Sequence, residues 1–99
     1  MFEVNVVSSQ YNFDGDASGI HPTLNANVGD TLIFNVNVSG HPFVISTNDS
    51  YSLENMVDGV ENNGATSGTI TWTPMSSGTY YYVCASHSTM KGIIQISSS

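Results

Sequence analysis

The sequence predicts an all-β chain, an antiparallel Greek-key β-sandwich of about seven to eight strands. Short runs that alternate apolar and polar residues recur along it, and turn signals separate them at regular spacing. The composition is rich in Val, Ile, Thr, Ser, Asn and Gly and nearly lacks the Ala-Leu-Glu-Lys mixture of helices. A length of 99 residues suits one two-layer core and is too short for two, so residues 1–99 are expected to form a single domain.

The elements follow in order. Phe2-Glu-Val-Asn-Val alternates, placing Phe2, Val4 and Val6 on one face of an opening strand. Residues 8–22 are mixed and carry the turn signal Asp14-Gly15-Asp16, so a loop is expected, with a short extended piece around Tyr11 and Phe13. Thr23 to Val28 alternates again, and Gly29-Asp30 turns into Thr31 to Val38. There Leu32, Phe34, Val36 and Val38 face one way, while Asn35 and Asn37 face the other. After Gly40, a strand is expected from His41 to Thr47, with Pro42 tolerated at its start because no ladder has yet formed. Residues 48–68 are polar and Gly/Asn-rich, and Leu53, Met56, Val57 and Val60 are spaced for one face of a short helix. Thr69 to Thr73 forms a strand with Ile70 and Trp72 inward, and residues 74–78 turn. Thr79 to Cys84 and Gly92 to Ser97 supply the last two strands.

Charge excludes several partners. Eight acidic residues stand against the single base Lys91, and the net charge of −7 repels nucleic-acid phosphates and anionic lipid surfaces. A partner with a basic docking surface is the electrostatic complement. No apolar run of about 20 residues is present, so no membrane insertion is expected. Residues 1–9 lack the basic start and apolar stretch of a signal peptide. The lone cysteine cannot form an internal disulfide or a two-thiolate dinuclear site.

Chemistry concentrates between Tyr80 and Gly92. Cys84, His87 and Met90 stand at three-residue steps after a run of strand-forming tyrosines, and His41 opens another strand-like run 43 residues upstream of Cys84. A lone buried cysteine is ordinarily a small hydrophobe. Here Tyr80, Tyr82 and Cys84 share one face of their strand, and a tight loop could turn His87 and Met90 toward the same point. Two imidazoles, one thiolate and a weak thioether suit copper in an electron-transfer site. Zinc rarely uses Met and closes structural sites with a fourth strong ligand.

These residues resemble a known family. Cys84-x-x-His87-x-x-Met90 followed by Gly92, the preceding tyrosine-rich strand and the upstream Gly40-His41-Pro42-Phe43 are similar to the cupredoxins, the type 1 blue-copper proteins that include plastocyanin and amicyanin. The short gap between His87 and Met90 looks more like amicyanin's loop. His21-Pro-Thr-Leu, Val28-Gly-Asp-Thr and Gly68-Thr-Ile-Thr-Trp-Thr resemble plastocyanin-like phrases as well, so the likeness spans nearly the whole chain. It implies a cupredoxin-like domain in which His41, Cys84 and His87 hold one copper ion, with Met90 axial, cycling between Cu(II) and Cu(I). The Gly40 carbonyl would lie near the opposite axial side. The edge of His87 would be the electron port, and Pro42, Ala85 and Ser86 would form part of its rim. The expected role is a small soluble, monomeric electron carrier between redox partners, periplasmic, thylakoid-lumenal or secreted.

Other functions are weaker. Copper delivery or storage, the alternative, calls for labile Met- or Cys-rich ligands. An enzyme using Cys84 as nucleophile and His87 as base would need an oriented pair and an oxyanion arrangement, neither of which the spacing offers. His21 has no donor at metal spacing. Lys91, beside the ligand loop, reads as a solvated side chain. The acidic residues of the loops serve solubility or docking.

Overall fold

The computed structural model describes residues 2–7, 10–15, 21–87 and 89–98. Eight strands form two four-stranded sheets: β1 Phe2–Val7, β2 Gln10–Gly15, β3 Leu24–Asn27, β4 Leu32–Asn37, β5 Phe43–Ser46, β6 Ser67–Trp72, β7 Gly78–Cys84 and β8 Lys91–Ser97. One sheet has the order β2-β1-β4-β6 and the other β3-β8-β7-β5. The expected sandwich is borne out, but both sheets are mixed: β1 runs parallel to β4, and β3 runs parallel to β8. Those pairs join strands distant in sequence, whose connections cross between the layers.

Alternation explains the core. Leu32, Phe34, Val36 and Val38 are buried along β4, as their spacing requires, and meet Tyr82, Cys84, Ile94 and Ile96 of the facing sheet in one apolar cluster. At its centre Phe43 stacks on Tyr82 with centroids 5.6 Å apart and meets Tyr11 and Phe34 at 5.1 and 5.2 Å. Such aromatic pairs contribute about 0.5–1.5 kcal/mol beyond their buried area.

Two local expectations change. The piece around Tyr11 and Phe13 is a full strand, paired antiparallel with β1 from Phe2↔Gly15 to Val7↔Gln10. Tyr11 and Phe13 are both fully buried, so this hairpin belongs to the core and is not a loop. Asp16, the last residue of the expected turn signal, lies outside the described residues. The short helix expected over Leu53–Val60 is a single 3-10 turn, Leu53–Asn55, with Leu53 77% exposed. Val57 and Val60 instead pack against the core, because the segment following the turn is extended along a sheet edge.

That segment closes one side of the sandwich. Toward β5, Val57 N–H donates to the Ile45 carbonyl, Gly64 N–H to that of Phe43, and Phe43 N–H to that of Ala65. The Asn63 amide completes the ladder, accepting from Ile45 N–H at 2.8 Å and donating to the Ile45 carbonyl at 3.0 Å. Toward β6, Glu61 exchanges backbone hydrogen bonds with Thr71, and Asn62 Nδ2 donates to the Thr69 carbonyl. All four residues of β5 are therefore buried, which accounts for the apolar run Phe43–Ile45. Among the described residues no helix is long and apolar enough to cross a membrane.

Candidate metal centre

The pairing of β5 with β7 builds the centre. Phe43 lies opposite Cys84, so the residues entering β5 and those leaving β7 meet at one pole of the sandwich. His41 precedes β5, and the turn that delivers it is closed by His41 N–H donating to the Val38 carbonyl at 2.8 Å. Gly40 occupies the left-handed region of that turn at φ 80°, which a β-carbon disfavours. The strand expected from His41 thus begins at Phe43.

The β7–β8 loop is equally short. Cys84 N–H donates to the Met90 carbonyl at 2.9 Å, and Met90 N–H donates to the His87 carbonyl at 3.1 Å. These bonds fold residues 84–90 back on themselves, and one donor atom from each of His41, Cys84 and His87 lies within 4.8 Å of the others. Cys84 Sγ is 3.7 Å from His41 Nδ1. The two imidazole rings are 4.6 Å apart, centroid to centroid, and inclined by 35°. Three donors converging at this distance are placed to bind a metal ion. Among the described residues this is the one such cluster of His, Cys, Asp and Glu, and it contains no carboxylate.

Burial is graded across the cluster. Cys84 is 2% exposed, His41 is half-buried and His87 is exposed. Met90 is buried, and its backbone closes the loop. Pro42 and Ala85 are half-buried, whereas Ser86 is exposed.

Two hydroxyls tie the loops together. The Tyr11 hydroxyl donates to the carbonyls of His41 and Pro42, each at 2.9 Å. Burial, and secondarily the charge and hydrogen-bonding capacity of Cys84, push the Tyr11 phenol far above its usual range, so it remains a donor. Ser86 Oγ donates to the Gly40 carbonyl at 2.9 Å, the carbonyl expected near an axial side of the metal. Ala85 N–H adds a bond to the Pro42 carbonyl at 3.3 Å. The sequence marks Ser86 only as part of the rim and Tyr11 only as part of a short extended piece within a loop. The period-two spacing of Tyr11 and Phe13 was the available signal.

His21 is not part of the cluster. Its Nε2 accepts the Tyr11 backbone N–H at 3.2 Å, and burial lowers its pKa. Lys91 forms a 3.4 Å pair with Asp49, both about half exposed, consistent with a solvated charge of little energetic weight.

No family model matches the chain, and no curated protein matches it in sequence. Solved structures do. A reduced rusticyanin superposes with a TM-score of 0.67 at 23% identity, over 96% of this chain and 77% of the other. Rusticyanin from Thiobacillus ferrooxidans gives 0.64 at 23% identity, over 96% and 75%. A reduced Cu(I) form of an amicyanin mutant gives 0.58 at 21%, over 95% and 79%. At these identities the likeness shows the fold, and the fold is that of the cupredoxins.

Proposed function

We propose that this cupredoxin fold carries single electrons, and that His41, Cys84 and His87 would hold one copper ion, with Met90 as a weak fourth donor. The observation that carries the reading is the cluster's composition and gradient: two imidazoles and a thiol within 4.8 Å, with the thiol buried and one imidazole exposed. The donor chemistry fits the ion, because thiolate, imidazole and thioether favour copper over the hard cations that carboxylates hold. Bound copper would supply the Cu(II)/Cu(I) couple.

The protein's part is to fix and insulate. Cys84, sealed at the end of β7, keeps its sulfur from water and oxidants. His41 is fixed by the Tyr11 hydroxyl on its own carbonyl and by Phe43 in the aromatic cluster two residues on. Donors held this firmly change position little between oxidation states, which keeps electron exchange fast. The exposed edge of His87 gives a redox partner its point of approach. A net charge of −7 favours a partner with a basic surface, and the chain is proposed to act as a monomer outside the cytosol. Burial of Cys84 supports a resident ion over one passed onward, and therefore a carrier over a delivery protein or an enzyme.

The test is a visible absorption titration of the reduced apoprotein with Cu(II). A strong thiolate-to-copper charge-transfer band saturating at one equivalent, bleached reversibly by ascorbate and absent from folded Cys84→Ser, is the expected result. No band from the folded parent protein would overturn the proposal.

A further inference from the structure

We propose that Ser86 is a positioning residue of this centre, whose hydroxyl, placed between the Gly40 carbonyl and the Cys84 sulfur, donates to that sulfur in the copper-loaded protein and thereby weakens its donation to the metal. The inference rests on the copper reading above. Ser86 Oγ has three neighbours with lone pairs: the Gly40 carbonyl at 2.9 Å, Cys84 Sγ at 3.4 Å and His87 Nδ1 at 3.4 Å. A serine hydroxyl has one proton to give and two lone pairs with which to accept.

Geometry gives the proton a choice of acceptor. A metal-held cysteine sulfur has no proton of its own and is a charged acceptor, for which hydrogen bonds are roughly twice as strong as between neutral groups. Rotation about the Ser86 Cβ–Oγ bond redirects the proton between acceptors 2.9 and 3.4 Å away without moving a heavy atom.

The backbone donors nearby are committed elsewhere. Cys84 N–H is taken by the Met90 carbonyl and Ala85 N–H by that of Pro42, while the Tyr11 hydroxyl, which also lies near Cys84, is shared with the carbonyls of His41 and Pro42. Pro42 has no N–H to offer. Ser86 lies on the exposed rim, so its proton can reorient where a packed side chain could not.

A hydrogen bond to the sulfur draws charge away from the metal bond. It disfavours the oxidised ion relative to the reduced one and raises the potential. The experiment compares the copper-loaded parent with Ser86→Ala and Ser86→Thr, reading the reduction potential by protein-film voltammetry and the energy of the charge-transfer band. Metal-free melting temperatures report loop tethering separately. Ser86→Ala is expected to lower the potential and move the band to lower energy, and Ser86→Thr, which keeps the hydroxyl, to restore both. If Ser86→Ala lowers only the melting temperature and leaves potential and band at parent values, the hydroxyl serves Gly40 alone and the proposal is overturned. If the folded parent shows no charge-transfer band, the copper reading itself fails, and this inference with it.

Discussion

Gly92 shows how a single hydrogen atom can be a structural requirement. It pairs with Tyr82 across β7 and β8, its backbone is outside the left-handed region, and a β-carbon built on it would fall among the Tyr82 ring atoms, meeting Cζ and the hydroxyl oxygen. That ring is fixed by its stack on Phe43 and by its hydroxyl bond to the Pro22 carbonyl, so it cannot withdraw cheaply. Gly92→Ala should therefore destabilise by about 1–3 kcal/mol through overpacking. A thermal melt would show it, and an unchanged melting temperature would mean that the ring can move aside. His21 sets the response to acid. Its Nε2 accepts a backbone proton from Tyr11, which protonation forbids, and burial holds its folded pKa below the unfolded value of about 6.5. The folded state then binds fewer protons than the unfolded one, so this contribution is present above pH ~6.5 and is lost as pH falls through the folded pKa. His21→Asn suits the left-handed backbone at φ 49° and should flatten the acid limb of a urea-denaturation series between pH 7 and 5.

At the scale of elements, the clearest strands were those with one buried face. The alternation of β4 announced its inward set because its other face is polar, and the Cys-His-Met spacing announced the metal loop because ligands must converge. Three features were hidden. The β1–β2 hairpin was obscured because Gln10, Asn12 and Asp14 alternate with Tyr11 and Phe13, so only two apolar positions mark the strand. The parallel pairings β1·β4 and β3·β8 join distant segments, and strand patterning carries no information about neighbours. The edge-closing run reads in sequence as a short helix, since Leu53, Met56, Val57 and Val60 fit a helical period while the backbone partners of the segment lie on other strands. Asn63 was invisible for the same reason. Its amide stands in for a strand neighbour of Ile45 with one accepted and one donated bond. Asn63→Ala would leave the backbone N–H of buried Ile45 unpaired, while its carbonyl keeps the bond from Val57 N–H. At about 1–3 kcal/mol for that one unsatisfied group, its urea midpoint should fall below that of the parent. Hydrogen exchange at the Ile45 amide should accelerate in step, and an unchanged exchange rate would show that water or another group replaces the amide.

Over the whole molecule, charge and shape act together. With eight acidic residues and a single lysine, the net charge that a reagent meets is negative, and its pull acts within a Debye length, about 10 Å at 0.1 M salt, beyond which it is largely screened. Reduction by a cationic complex should therefore slow as salt rises, and reduction by an anionic one should quicken. Stopped-flow rates across an ionic-strength series would check both slopes, and equal slopes for the two reagents would remove long-range steering from the account. The segment that spans from β5 to β6 has a consequence beyond stability. Uncovered, β5 would present its backbone as a template on which a second molecule could add a strand, and its apolar sequence, Phe-Val-Ile, is the kind that propagates cross-β stacking. By occupying that rim from within the same chain, residues 55–65 guard against fibre growth along β5.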